Sequence, residues 1–245
     1  MNRLHSSIED KYFELEKTFG AHNYNPLPVV LKRGLGPFLW DLNDKKYFDF
    51  LSAYSSVNQG HCHPEILKAL FNQASKLTLT SRAFYNDTLG EFEEFVCTLF
   101  NYDKVLPMNS GVEAAESAIK LARKWGYEKK RVKKDKAKII FPKNNFWGRS
   151  IAAISSSTNP IAYKNFGPLL YGFDTVPYDN LNLLEVKLKN PDCVAFMLEP
   201  IQGEAGVIVP SEGYLSSVKY LCNKYNVLFI ADEIQTGLGR TGKLL

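Results

Sequence analysis

The sequence predicts an α/β fold, with a large domain built on a mostly parallel central sheet flanked by helices, and two observations carry that prediction. Short apolar runs of strand length recur at Lys138 to Phe141, Val194 to Leu198 and Val227 to Ile230. Helix-forming segments separate them. Glu212 to Tyr225, with Tyr214, Val218 and Leu221 on one face, supplies the crossover between the last two runs. Strand, helix, strand alternation favours parallel pairing with both sheet faces covered.

The elements before these follow in order. An amphipathic helix carrying Glu9, Asp10, Glu14 and Glu16 is expected near the amino terminus, capped near Ser7. Val29 to Gly34 and Pro37 to Asp41 are strand-like, and Asn43-Asp44 turns the chain into Lys46 to Phe50, giving an antiparallel meander. His63-Pro64 leads into a helix at Glu65 to Phe71, with proline at its first position. Glu113 to Lys124 places Ala115, Ile119 and Ala122 on one helical face. No internal repeat or low-complexity linker interrupts this order.

Composition narrows the function classes. With 245 residues, 45% of them hydrophobic, the chain can bury a sizeable core in one or two domains. No run of 18 apolar residues occurs, so no membrane span is expected. The net charge of +4 is local: six Lys, one Arg and one Asp between Lys129 and Lys138 give +6, leaving about −2 elsewhere. Such a run reads as a solvated loop, and no nucleic-acid partner is expected. Four cysteines without paired spacing suggest reduced thiols. With acidic residues near the start and no visible leader, a cytoplasmic location is expected. His61-Cys62-His63 offers three ligand types for a metal, but reads better as the entry to the following helix, so no metal site is expected.

Three segments carry chemistry. Asp232 follows Val227-Leu228-Phe229-Ile230-Ala231, and a carboxylate at the carboxyl end of a strand sits where open α/β sheets bind ligands. It suits a protonated ring nitrogen there, or else simply caps the next turn. Asn109-Ser110-Gly111-Val112 opens a helix, where free N–H groups favour a phosphate; an ordinary serine cap is the plainer reading. Asn145-Phe146-Trp147-Gly148-Arg149 supplies aromatics to stack on a flat ring and a guanidinium for a carboxylate, or core and surface residues.

Together with Gly20 to Val29, Asn58-Gln59-Gly60-His61-Cys62-His63-Pro64, Leu77 to Asn86, Glu199-Pro200-Ile201-Gln202-Gly203-Glu204-Ala205-Gly206 and Ile230 to Gly237, these segments resemble the class III aminotransferases of the fold-type I pyridoxal phosphate family. The Gly20 to Val29 and Phe146-Trp147-Gly148-Arg149 segments are similar to the ornithine-using branch.

The resemblance implies a fold-type I transferase. Residues 1–51 would be the amino-terminal part of a small α+β domain, and 52–245 a large cofactor-binding domain, incomplete at its carboxyl end. It implies pyridoxal 5′-phosphate as cofactor, with Ser110, Gly111 and Val112 on its phosphate, Phe146 on its ring, Asp232 on its nitrogen and Gln235 on its phenolic oxygen. Tyr24 and Arg149 would bind the α-carboxylate of ornithine, and Trp147 and Tyr54 would shape the substrate channel. Glu204 would mask an arginine needed for 2-oxoglutarate, and Glu199 would support the site from behind. The implied reaction moves the terminal amine of ornithine to 2-oxoglutarate in a homodimer or higher homo-oligomer. Acetylornithine or 4-aminobutyrate as donor, or a non-catalytic cofactor-binding relative, are the alternatives. The lysine that holds the cofactor in relatives is expected beyond Leu245, and Lys243 lacks its sequence context.

Overall fold

The structure, a computed structural model, describes Ile8 to Leu245, so the cap expected at Ser7 lies outside the described residues. Internal contacts divide the chain into two compact units, Met1–Gly90 and Glu91–Leu245.

In the first unit the acidic, amphipathic segment forms α1 (Ile8–Phe19), with Glu9 and Asp10 in its first turn and Lys17 in its last, the arrangement a helix dipole favours. The predicted meander is present as β1 (Leu31–Leu35), β2 (Phe38–Asp41) and β3 (Lys46–Phe48), antiparallel in that order. Its tight turn is organised by Asp41. One carboxylate oxygen accepts from the backbone N–H groups of Asn43 and Lys45, both at 2.9 Å, and the other accepts from the Tyr47 hydroxyl at 2.8 Å. Aromatic contacts brace the strands: Phe38 lies 4.8 Å from Phe48, and the Arg33 guanidinium sits 3.6 Å from the Trp40 ring.

A feature the sequence did not announce follows. Ser52, Ala53, Tyr54 and Ser55 (α2, Ser52–Ser55) all have positive φ, at 48°, 49°, 57° and 72°. They form one left-handed turn without a glycine, a conformation that costs an L-residue roughly 1–2 kcal/mol each. Proline then starts α3 (Pro64–Ala74), as the sequence predicts, and α4 (Leu89–Phe100) crosses the boundary between the units.

The second unit is a three-layer α/β/α arrangement. Its strands β4 (Lys138–Pro142), β5 (Phe173–Val176), β6 (Cys193–Leu198) and β7 (Leu228–Ala231) are parallel in the order β5-β4-β6-β7. One face buries Ile139, Phe141 and Met197 with Ala115, Ile119 and Ala122 of α5 (Gly111–Glu128) and Ala153 of α6 (Ile151–Ser155). The other face buries Ile140, Phe196 and Leu198 with Leu184 and Leu188 of α8 (Leu181–Leu188) and Tyr214, Val218 and Leu221 of α9 (Tyr214–Lys224). A short helix α7 (Pro160–Tyr163) lies between α6 and β5.

Two expectations need correction. β7, read as a buried strand, is only partly buried, because it pairs with β6 alone and forms a sheet edge among the described residues. The basic run is not uniformly solvated either. Lys129, Arg131, Lys133, Lys134 and Lys136 are exposed, but Lys130 is partly buried. Its ammonium donates to the carbonyls of Cys193 at 2.6 Å, Asn226 at 2.8 Å and Tyr225 at 3.3 Å, tying the α5 terminus to the segments entering β6 and β7. Strand β5 and helix α8 had no counterpart in the sequence reading: Asp174 and Thr175 break the apolar run of an edge strand.

Candidate active site

Three parallel strands deliver their next residues to one side of the sheet. Asn145-Phe146-Trp147 follows β4, Glu199 follows β6 and Asp232 follows β7, so all stand beyond carboxyl ends, the ligand side of such sheets.

The helix start belongs to the same place. Ser110 caps α5, its hydroxyl accepting from the Glu113 N–H at 3.3 Å, while the Glu113 carboxylate accepts from the Asn109 N–H at 3.0 Å. The serine-cap reading is therefore correct as far as it goes. It leaves the N–H groups of Gly111 and Val112 at the head of an 18-residue helix, where anions are favoured. A Cβ on Gly111 would lie 3.0 Å from the Ile234 side chain, so this helix start and the turn after Asp232 are in contact.

The loop after β4 is fixed by side chains. The Asn145 amide donates to the carbonyls of Pro142 at 2.8 Å and Ser156 at 2.9 Å. The Phe146 N–H donates to the Glu199 carboxylate at 2.9 Å, while the residue stays 43% exposed, open to a partner. Trp147 turns the other way. It stacks on Phe141 at 6.0 Å, its indole donates to the Ser156 hydroxyl at 2.8 Å, and it is 6% exposed. Within this unit it is a core residue, not one brought to the open side with Phe146. Arg149 is exposed just ahead of Ser150, which caps α6 and donates to Glu116 at 2.6 Å.

Glu199 and Asp232 set the electrostatics. Burial pushes the Glu199 carboxyl up to about 7; the neighbouring charges of Asp232 and Glu204 add to this, against the N–H donors of Phe146 and Gly203. Burial also raises Asp232, with a smaller contribution from Glu233, although its carboxylate accepts from the Ile234 N–H at 3.1 Å. No ion pair found among the described residues involves Asp232. A cationic N–H beside it would reverse that penalty.

The Gln202 loop completes this side. Buried Gln202 donates to the Lys143 carbonyl at 2.9 Å and pairs with Ile208, so Glu204 sits exposed in the intervening turn. A Cβ on Gly203 would fall on the Gln235 amide, which shows how closely that side chain is seated. Sequence reasoning missed Gln202 and Tyr178. The Tyr178 hydroxyl donates toward the carbonyls of Glu199 and Pro200, at 3.0 and 2.8 Å, holding the loop from beneath. Nothing in the sequence distinguishes Tyr178 from the other twelve tyrosines.

The remaining expected residues belong to the first unit. Tyr24 lines an open cleft of about 920 Å³ with Tyr12, Glu16, His22 and Leu31, and is 59% exposed. Tyr54, 54% exposed, stands in the left-handed turn. Lys243 lies exposed in a terminal turn closed by the Gly239 N–H to its own carbonyl, at 3.0 Å. Among the described residues, no cluster of His, Cys, Asp and Glu is arranged to hold a metal ion, and no helix is long and apolar enough to cross a membrane.

A helix start for a phosphate, an open aromatic face, a seated amide and a half-buried carboxylate that a cation would relieve form a donor set that fits pyridoxal phosphate. The fold and site thus define a cofactor-binding α/β protein of the transferase type. The family model described as aminotransferase class-III matches residues 19–245, and the chain belongs to that family.

The chain is 64% identical over 239 residues to the mitochondrial ornithine aminotransferase of Drosophila melanogaster, covering 98% of this chain and 56% of that protein. An ornithine aminotransferase structure from Toxoplasma gondii, described with pyridoxal phosphate partly occupying its active site, is 52% identical, with a TM-score of 0.96, covering 97% of this chain and 56% of that one. An acetylornithine aminotransferase structure from Elizabethkingia anophelis is 53% identical, with a TM-score of 0.84, covering 97% and 56%. The chain spans a little over half the length of the curated relatives it matches.

Proposed function

We propose that this chain forms part of a pyridoxal phosphate-dependent ornithine δ-aminotransferase, which converts ornithine and 2-oxoglutarate into glutamate 5-semialdehyde and glutamate. The observation that carries the reading is the convergence of the α5 start, Phe146, Glu199 and Asp232 beyond the strand ends. High identity to enzymes named for ornithine supports the substrate.

When bound, the cofactor supplies an electron sink for the bond broken at the amine-bearing carbon. The residues of this chain position it and keep it reactive. Gly111 and Val112 N–H groups hold its phosphate together with Ser110. Phe146 covers its ring and excludes water from that face. Asp232 keeps the ring nitrogen protonated, and Gln235 bonds its phenolic oxygen. Arg149 and Tyr24 hold the ornithine α-carboxylate, so that the distal amine is presented for reaction. Tyr54 sets donor choice, Glu204 alternates between masking and releasing the arginine that receives 2-oxoglutarate, and Trp147 acts from the core through the loop it secures.

The assembly proposed is a homodimer, supported by Phe92, Phe95 and Leu99, which share an exposed face of α4. The location proposed is the cytoplasm, supported only by the free thiol state of Cys62, Cys97, Cys193 and Cys222, which fits any reducing compartment. Sedimentation and cell fractionation test these two.

A second reading, with N-acetylornithine as donor, draws on the Elizabethkingia structure. Single-turnover conversion of the cofactor to its amine form separates the two. Ornithine should react faster than N-acetylornithine and 4-aminobutyrate, and Arg149→Lys should slow ornithine by removing the two-pronged carboxylate contact. Faster reaction with N-acetylornithine would establish the second reading instead.

A further inference from the structure

The His61-Cys62-His63 segment has no part in the proposed chemistry, yet His61 is among the most firmly held side chains of the first unit. Its ring donates through Nε2–H to the Asp49 carboxylate at 2.7 Å, since an ionised carboxylate can only accept. The two side chains are 24% and 10% exposed. The His61 backbone exchanges two hydrogen bonds with Gly36, at 2.8 and 2.9 Å. A Cβ on Gly34 would come within 2.7 Å of the imidazole, so the ring lies flush against β1.

Asp49 faces the other way as well. Its second oxygen accepts from the N–H groups of Ser52 at 2.8 Å and Leu51 at 3.1 Å, and its carbonyl accepts from the Ser52 hydroxyl at 3.2 Å. These are the residues that open the left-handed turn carrying Tyr54. The Ser52 amide first, and His61 second, hold the Asp49 carboxyl below the usual carboxylate range, so it stays ionised and accepting.

Inside the turn Ser55 N–H bonds to the Leu51 carbonyl at 3.1 Å, Ser56 and Val57 N–H to the Ser52 carbonyl at 2.8 and 3.1 Å, and the Ser56 hydroxyl donates to the Ala53 carbonyl. Four successive non-glycine residues in this region are unfavourable and persist only where their surroundings over-determine them. The contacts of Asp49 at the entrance of the turn add to that determination, and His61 fixes Asp49.

We infer that Asp49 and His61 are positioning residues for Tyr54, a hydrogen-bonded strut that holds the left-handed turn and thereby sets which amine donor the enzyme accepts. The inference rests on the reading above that Tyr54 governs donor choice.

The test is the ratio of kcat/KM for ornithine to that for 4-aminobutyrate in the complete enzyme with cofactor bound. Tyr54→Ala should lower the ratio. His61→Ala should lower it in the same direction, by about tenfold, and should add nothing in the Tyr54→Ala background, because both changes act through one side chain. His61→Gln should restore most of the ratio, since its amide reproduces the Nε2–H donor. His61→Asn, whose shorter side chain cannot reach Asp49, should behave like alanine and replaces it should His61→Ala not fold.

A shift with Tyr54→Ala but none with His61→Ala or His61→Asn would overturn the positioning role alone. Equal effects of the His61 changes with and without Tyr54, or no rescue by Gln, would mean that His61 acts only on the fold, and would also overturn it. No shift with Tyr54→Ala would remove the reading of Tyr54, and the strut's role in donor choice with it.

Discussion

The two units hold their candidate functional residues by different means. Among the described residues up to Gly90, Asp41 alone is buried, and side chains such as Tyr54 are placed by turns, capping carboxylates and one imidazole. From Glu91 onward two apolar clusters enclose the sheet: Phe146 and Glu199 follow strands β4 and β6, sealed on both faces, and Asp232 follows the partly buried edge strand β7 paired to β6. Packing gives rigidity that a cofactor and its charge require. Hydrogen-bonded turns give geometry that can be retuned one residue at a time, which suits substrate choice. The comparison therefore predicts large losses of stability or rate in the second unit and local or selective effects in the first.

The largest effect is expected at Phe196, fully buried in the middle of β6. Phe196→Ala should destabilise the protein by about 3–5 kcal/mol, through lost apolar burial and the cavity left behind. Urea denaturation of the complete enzyme measures it, and a loss below about 1 kcal/mol would show that this sheet is not the rigid partner in the comparison. Next comes Asp232→Ala. The strand end should survive, because it is the backbone N–H of Asp232 that donates to the Leu198 carbonyl at 2.8 Å. Transamination should nonetheless fall by about 10³-fold, or about 4 kcal/mol in the barrier, because the ring nitrogen loses its counter-charge. Near-normal turnover with cofactor bound would remove Asp232 from that role.

The same contrast explains what was legible in the sequence. Apolar runs and helical periodicity are direct traces of packing, so β4, β6, α5 and α9 were predicted within a few residues. The places of Phe146 and Asp232 were legible because each follows an apolar strand within a few residues, and that of Ser110 because it opens a periodic helix; their roles came from the family resemblance. The left-handed turn was not legible: Leu51-Ser52-Ala53-Tyr54-Ser55 contains neither Gly nor Asn to mark positive φ, and Asp49, which caps its entrance, is itself bonded to His61, six residues past its end. Lys130 was hidden in a run of identical charges, since nothing local shows that three carbonyls from distant segments will surround one ammonium. Tyr178 was missed for the same reason, because its two acceptors lie more than twenty residues away.

A pH experiment sharpens the comparison at Glu199. Its carboxyl is raised from an ordinary 4.5 to about 7 by burial, so between those values the folded protein retains a proton that the unfolded chain has released. Stability should therefore fall as pH rises through that window, by about 3 kcal/mol in all, and stay low above it. Glu199→Gln keeps an acceptor for the Phe146 N–H but has no proton to lose there. The difference in unfolding free energy between variant and parent should then move in favour of the variant from about pH 4.5 to pH 8. Asp232 is raised in the same direction but is present in both proteins, so much of its contribution cancels. Parallel pH profiles would mean that the Glu199 carboxylate is solvated in the working enzyme.

The smallest effect should come from Asp41, the one buried residue among the described residues of the first unit. Asp41→Ala removes the acceptor for the Asn43 and Lys45 amides and for the Tyr47 hydroxyl, leaving the β2–β3 turn without its organising group. The strands retain their own pairing, and the Phe38–Phe48 contact remains, so the meander should loosen rather than unfold. Amide hydrogen exchange reads this directly: the Asn43 and Lys45 N–H groups should exchange roughly tenfold faster, corresponding to the net contribution of a typical hydrogen bond, while the β6 amides from Cys193 to Leu198 keep their protection. Asp41→Asn, which keeps a carbonyl for the two amides, should fall between parent and alanine. If the alanine variant instead deprotects β6 to the same degree as the turn, the two units open together, and the division of labour between packed and turn-held residues does not hold.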